Sequence, residues 1–202
     1  MVGSKEYIIQ VASLLFLQKN FKEVTMKEIV DKTGMSKGAF YHYFASKEQL
    51  FQEVLDYFFQ NVAHNYESYS KESFKQYYND FISDTINLTQ RYAQKFSVEM
   101  NETSITMNYF SLIFDALKLF PDFKKKVIAG YEDELNHWEA AVKRARLSGE
   151  IRSDFTDREI GEIFMYLSDG VGMHYIIHGN EVENIVKPFK ALWDKFYDQI
   201  KA

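Results

Sequence analysis

An all-α protein is expected from three features of this 202-residue sequence. Two Pro and nine Gly are too few for a β-sandwich or barrel, which needs a turn about every 8–12 residues, and too few for a Rossmann-type sheet with Gly-rich turns. Hydrophobic residues make up 46% of the chain and aromatic residues 17%, enough to build a core and too many for a disordered segment. Apolar residues also recur at helical spacing in one segment after another.

Other classes fall away on composition. There is no cysteine, so disulfide frameworks, thiolate metal sites and cysteine nucleophiles are excluded and a reducing, cytoplasmic location is expected. Residues 1–19 lack the charged, apolar and small-residue order of an export signal, and no stretch of about 18 apolar residues occurs, so a soluble chain without a membrane partner is expected. The net charge of -5 hides an asymmetry. Residues 1–50 hold seven Lys and five Asp/Glu, net +2, while residues 51–202 hold 17 basic and 24 acidic side chains, net -7. A weakly basic head precedes an acidic body.

In the head, Ile8, Val11, Ala12 and Leu15 share one face of a helix over Lys5–Lys19. Asn20 is expected to end it in a left-handed conformation. Thr25-Met-Lys-Glu28 reads as a capping box that opens a second helix to Thr33. Gly34-Met35-Ser36 then supplies a tight turn, with Met35 plugging the space between helices and Ser36 capping a third helix, Lys37–Phe44. A second capping box, Ser46–Gln49, starts a longer helix with a broad apolar face from Leu50 to Val62.

In the body, helical spacing runs through Phe74–Tyr92 and Val127–Ala145, with Ser97–Met107 ambiguous between them. Pro121 ends or restarts a helix, and Gly149 caps the helix that carries Trp138. A third box, Thr156–Glu159, opens the helix of Ile160, Ile163, Phe164, Leu167, Val171 and Tyr175. Gly161, Gly170 and Gly172 would each cost about 0.5–1 kcal/mol in mid-helix, so close helix approach is expected at one of them or more. The last helix carries Val186, Phe189, Trp193, Phe196 and Ile200, and Pro188 implies a kink or a late start.

Two short helices joined by a Gly-containing turn, after a longer supporting helix, form a helix-turn-helix. Its residues Thr25, Ile29, Gly34-Met35-Ser36, Gly38, Tyr41, Phe44 and Ser46–Phe51 resemble the N-terminal signature of the tetracycline-repressor (TetR) family of bacterial transcription regulators. The resemblance covers residues 7–55, departing at Asn20, where the family has Gly, and at Val30, where it has Ala. It implies a division into a DNA-binding head, residues 1–47, and a ligand-binding and dimerisation body, residues 48–202.

A helix that enters the major groove needs a slim start and outward donors. Gly38 and Ala39 supply the first. Lys37 suits guanine or a phosphate, Ala39 a thymine methyl, and Tyr41, His42 and Tyr43 the DNA backbone. Thr25, Lys27, Ser36 and Lys47 sit at helix starts, where amides already favour phosphate. Phe40 and Phe44 are expected to pack inward.

The resemblance further implies a repressor that binds a palindromic double-stranded operator as a homodimer, through two helices of each copy, and leaves it when a small apolar or aromatic effector enters the body. The interface is expected at Ile160, Phe164, Leu167, Val171, Tyr175, Phe189, Trp193, Phe196 and Ile200. For the effector, Phe81, Met100, Met107, Phe110, Phe114, Tyr131, Trp138, Met165 and Tyr166 are the adaptable apolar candidates. A DNA-bound adaptor that recruits a protein, and an enzyme or binding protein that keeps the head as scaffold, are the alternatives. No catalytic constellation is present: Glu132-Asp133-Glu134 reads as a solvated face. His174 and His178, with Glu181 beyond, offer too few ligands for a metal, and no cofactor is expected.

Overall fold

The computed structural model describes the backbone of residues 4–62, 64–96, 102–177 and 182–202, with side chains except at 59–62, 89, 92–96, 102–109, 172, 175–177 and 182–185. The helices are α1 (Ser4–Gln18), α2 (Met26–Thr33), α3 (Lys37–Tyr43), α4 (Lys47–Val62), α5 (Phe74–Phe96), α6 (Glu102–Leu119), α7 (Pro121–Ser148), α8 (Asp157–Ile177) and α9 (Val182–Ile200), with a 3-10 turn at Tyr66–Ser68. Among the described residues the β structure is one isolated bridge, Ile151 to Lys201. The all-α expectation holds. Two compact units result: Met1–Ala63 with Tyr92–Pro121, and His64–Arg91 with Asp122–Ala202. The expected division at residue 47 is one of function, and packing draws its boundaries elsewhere, grouping α4 and α6 with the head helices.

In the first unit α1 packs against α2, α4 and α6. Ile8, Ala12, Leu15 and Phe16 of α1 meet Ile29 and Val30 of α2 and Leu50, Phe51, Val54 and Leu55 of α4 in a buried core. Phe51 packs edge-on against Phe16 and at a tilt against Phe21 and Phe120, with ring centroids 4.8, 4.7 and 5.7 Å apart. Asp115 of α6 accepts the Phe21 N–H at 3.2 Å. Asn20 is not left-handed, since no non-Gly residue described has positive φ. Its side-chain oxygen instead accepts the N–H groups of Lys22 and Glu23 at 3.0 and 3.1 Å, a turn that Gly could not make because it has no side-chain acceptor.

The second unit is built on aromatic rings. Trp138 of α7 lies 5.0 Å from Phe81, 5.5 Å from Phe164 and 5.3 Å from Trp193, and the Trp193 indole donates to the Phe164 carbonyl at 3.2 Å. Pro121 is the first residue of α7, where its missing N–H costs nothing. Gly149, with φ of +80°, ends that helix. The Arg146 guanidinium then holds the loop that follows, donating to Asp157, the Ser153 carbonyl and the Phe155 carbonyl at 2.7, 2.9 and 2.7 Å. The Thr156–Glu159 box closes in both directions, at 2.7 and 3.2 Å, and the Thr156 N–H and hydroxyl that donate to the Glu159 carboxyl hold it below its usual range. Pro188 lies inside α9 and does not delay its start.

Close approach accounts for one mid-helix glycine. A Cβ on Gly161 would lie 3.1 Å from the Trp138 Cβ, whereas one on Gly170 meets nothing within 4 Å. Gly170→Ala should therefore raise stability by about 0.5–1 kcal/mol through helix propensity. Gly161→Ala should lower it by about 1–2 kcal/mol, because the crowding falls on a fully buried tryptophan. Urea unfolding compares the two variants, and shifts of the same sign would contradict the close approach.

Candidate nucleic-acid interface

The site grows out of two helix caps and one glycine. The Thr25 hydroxyl accepts the Glu28 N–H at 3.2 Å and starts α2. Glu28 itself pairs with Lys19, which is the main cause of its lowered pKa. At the other end Gly34 takes φ of +67°, a left-handed conformation with little cost only for Gly. The Thr33 hydroxyl accepts the Met35 N–H at 3.4 Å, and Met35 is half-buried beside the turn. Two residues after Gly34, Ser36 accepts the Ala39 N–H at 3.3 Å and starts α3. The turn thus ends one helix and begins the next within three residues.

The orientation of α3 follows from two phenylalanines four positions apart. Phe40 and Phe44 are fully buried, so the rest of this seven-residue helix faces outward: Lys37, Gly38, Ala39, Tyr41 and His42 are exposed, and Tyr43 is half-buried. Nothing lies within 4 Å of where a Gly38 Cβ would stand, so the glycine leaves an open slot on the surface. Thr25, Lys27 and Ser36 are exposed as well. This run of cationic, hydroxyl and imidazole groups on a slim helix start suits phosphates and base edges.

Lys47 differs from the others. Its ammonium turns inward, donating to the carbonyls of Phe21 and Val24 at 2.8 Å each and lying 4.4 Å from the centre of the Phe21 ring. It clamps the loop between α1 and α2. Sequence spacing alone could not reveal this, because the carbonyls it serves are over 20 residues away.

In the body, the structure does not gather the proposed effector residues. Phe81, Trp138 and Met165 are core residues, at most 5% exposed, while Phe114, Tyr131 and Tyr166 are on the surface. The space around Trp138 is filled by neighbouring rings. Phe110 is half-buried near Phe114; Met100 and the Met107 side chain lie outside the described residues. The interface expectation also needs correcting: Ile160, Phe164, Phe189, Trp193 and Ile200 are buried in the core of their own chain. The α9 stripe closes the protomer. Leu167, Val171 and Phe196 are half-buried, and the Tyr175 side chain is outside the described set.

A second α9 stripe, displaced from the first, is left open. Leu192 and Phe196, with Ile163 and Leu167 of α8, line a broad, open groove of about 500 Å³ edged by Lys195, Asp198 and Gln199. Leu192 was missing from the expected interface; its signal was the four-residue spacing to Phe196.

Two polar expectations remain. Glu134 is not part of a solvated face: it accepts a hydrogen bond from the Trp138 indole at 3.3 Å, and burial raises its pKa. Among the described residues no three His, Cys, Asp or Glu side chains are grouped to hold a metal, and His174 is exposed. His178 and Glu181 lie outside the described residues. No helix described is long and apolar enough to cross a membrane.

With this geometry in place, residues 8–54 match the family model described as bacterial regulatory proteins, tetR family. The chain is 37% identical over 51 residues to the HTH-type transcriptional repressor KstR2 of Mycolicibacterium smegmatis, covering 25% of each chain. It is 23% identical over 168 residues to the repressor of the same name from Rhodococcus jostii, covering 83% of this chain and 67% of that one. The match to the first of these relatives thus spans about a quarter of its length. Among solved structures, a TetR transcriptional regulator from Chloroflexus aurantiacus aligns with a TM-score of 0.70 at 18% identity, over 98% of this chain and 96% of that one. The MbdR regulator from Azoarcus sp. CIB aligns at 0.69 with 22% identity, over 94% and 96%. At such identities these structures share the fold.

Proposed function

We propose, for a chain that belongs through residues 8–54 to the TetR family of bacterial regulatory proteins, that it is a cytoplasmic DNA-binding transcriptional regulator, a homodimeric repressor of a palindromic operator. The observation that carries this reading is the head itself. Gly34 ends α2 in a left-handed turn, Ser36 starts α3 two residues later, and the burial of Phe40 and Phe44 turns Lys37, Tyr41 and His42 outward. Such a helix enters the major groove, and a two-fold pair of them reads half-sites about 10 base pairs apart or a multiple of that.

The dimer forms through the open groove of α8 and α9, and a small apolar or aromatic effector in the body favours a state in which the two heads no longer match the half-sites. The shift is as large as the difference in effector affinity between the two states. Chemistry on a substrate forms no part of this reading, because the exposed polar groups of the head lack a nucleophile, base and orienting partner set together.

Selection of bound sequences from random DNA tests it, with an enriched palindrome as the expected result. Lys37→Ala should cost about 1–3 kcal/mol and relax the preference at one position of each half-site. Failure to enrich any sequence at low salt would overturn the assignment.

A further inference from the structure

Helix α6 belongs to the body in sequence and to the head in packing. Its C-terminal half buries Leu112 and Ala116 in the unit that holds the helix-turn-helix, and the helix lies against α1. Phe120, just past its end, sets its ring 6.1 Å from Phe21 and 5.7 Å from Phe51.

Asp115 is the polar member of this contact. Phe21 lies past the end of α1, where its N–H has left the helical ladder, and the half-buried Asp115 carboxylate accepts it at 3.2 Å. A carboxylate holds an amide about twice as strongly as a neutral acceptor does.

Phe21 is thereby fixed at both ends of its backbone. Its carbonyl accepts the Lys47 ammonium at 2.8 Å while Asp115 holds its N–H, so α4 supplies one charge and α6 the other. The residues that follow are tied as well. The Asn20 side chain accepts the Lys22 and Glu23 N–H groups, and the Val24 carbonyl accepts Lys47. Thr25 comes next as the cap of α2. Where Phe21 sits therefore decides where α2 starts, and with it the exposed Thr25 and Lys27 of its first turn.

We infer that Asp115 is a positioning residue for DNA binding: through the Phe21 N–H, α6 sets the start of the helix-turn-helix without itself reaching the DNA. The inference rests on the regulatory reading above and adds to it a residue 94 positions beyond the loop that it holds. Binding groups must be held within about 0.5 Å of their productive place by the residues behind them. A loop of five residues cannot supply that from its own backbone, and the charges of α4 and α6 do so from either side.

Titration of a selected operator, with hydrogen exchange on the DNA-free protein, tests the role in the full chain and its Asp115→Ala and Asp115→Asn variants. Both measurements are made far below the melting temperatures, where every variant is folded by circular dichroism and a loss of stability alone leaves affinity unchanged. Asp115→Ala should speed exchange at the Phe21 amide and lower operator affinity about tenfold. Its salt slope should equal the parent's, because no phosphate ligand is removed. Asp115→Asn keeps an acceptor oxygen and should return affinity to within about threefold of the parent. Unchanged affinity in Asp115→Ala would reduce Asp115 to a stabilising contact and overturn the proposal. Equal losses in the two variants, or an altered salt slope, would also overturn it, by making the charge rather than the acceptor the cause. A parent chain that selects no DNA sequence, while Phe21 exchange still responds to Asp115→Ala, would instead sink the DNA-binding reading and the proposal with it.

Discussion

Lys47→Ala should lower the melting temperature by about 4–8 °C, which corresponds to a loss of about 2 kcal/mol in a chain of this size. The loss comes from two carbonyls. Phe21 and Val24 each receive a charged donor at 2.8 Å, and alanine leaves both without it while also removing the cation from the Phe21 ring. Phe21 in turn packs on Phe51 and Phe120 and donates its N–H to Asp115, so the loosened loop touches the centre of the first unit. DNA affinity should fall with head order, while the dependence of the remaining binding on salt keeps its slope. Lys27→Ala gives the contrasting result, with an unchanged melting temperature and a slope reduced by about one, as expected for an exposed phosphate ligand. An unchanged melting temperature in Lys47→Ala with a shallower salt slope would return Lys47 to the DNA contacts.

Lys47 also marks a boundary of what was legible in the sequence. Caps, turns and stops are local chemistry, written in residues one to four positions apart. Thr25, Ser36, Gly34, Pro121, Gly149 and the Thr156–Glu159 box all act in the structure as their spacing implies. Inward and outward faces of a short helix are also local, which is why Phe40 and Phe44 separate cleanly from Lys37, Tyr41 and His42. Which of two partners a long side chain prefers is a tertiary matter. Lys47 reaches carbonyls 23 and 26 positions away, and no spacing rule encodes that choice. Asn20 failed for a related reason: its side-chain acceptor makes an alternative turn available that competes with the left-handed stop.

The body shows the same limit at larger scale. Helical periodicity finds an apolar face but not what covers it, and α9 has two such faces. The seam of Phe189, Trp193 and Ile200 has the spacing of an interface, yet it is filled from within by Phe164, Tyr78 and Trp138. Adaptable side chains such as Trp138 and Met165 were grouped by type as an effector pocket, and they pack instead with each other's neighbours.

Leu192→Glu is expected to turn the dimer into a monomer and to lower operator affinity by at least about 100-fold. Leu192 is 42% exposed and stands in the open groove with Ile163, Leu167 and Phe196, so glutamate meets solvent in the separated chain and the fold of each unit persists. In a two-fold dimer the substitution enters the interface twice, placing two desolvated carboxylates within one apolar contact. The DNA effect is larger than the loss of one contact surface. A dimer binds its second half-site at an effective concentration set by the first, which contributes about 10²–10⁴ in avidity, and a monomer forfeits it. Sedimentation gives the oligomeric state, circular dichroism the helical content, and titration of a selected operator the affinity. A Leu192→Glu chain that remains dimeric with full operator affinity would remove α8 and α9 from the interface. Phe189→Ala separates the alternatives from the other side: its ring is 4.0 Å from Trp193 within the chain, so its loss should cost about 3–5 kcal/mol of stability at a core position and leave the dimer constant of the folded fraction unchanged.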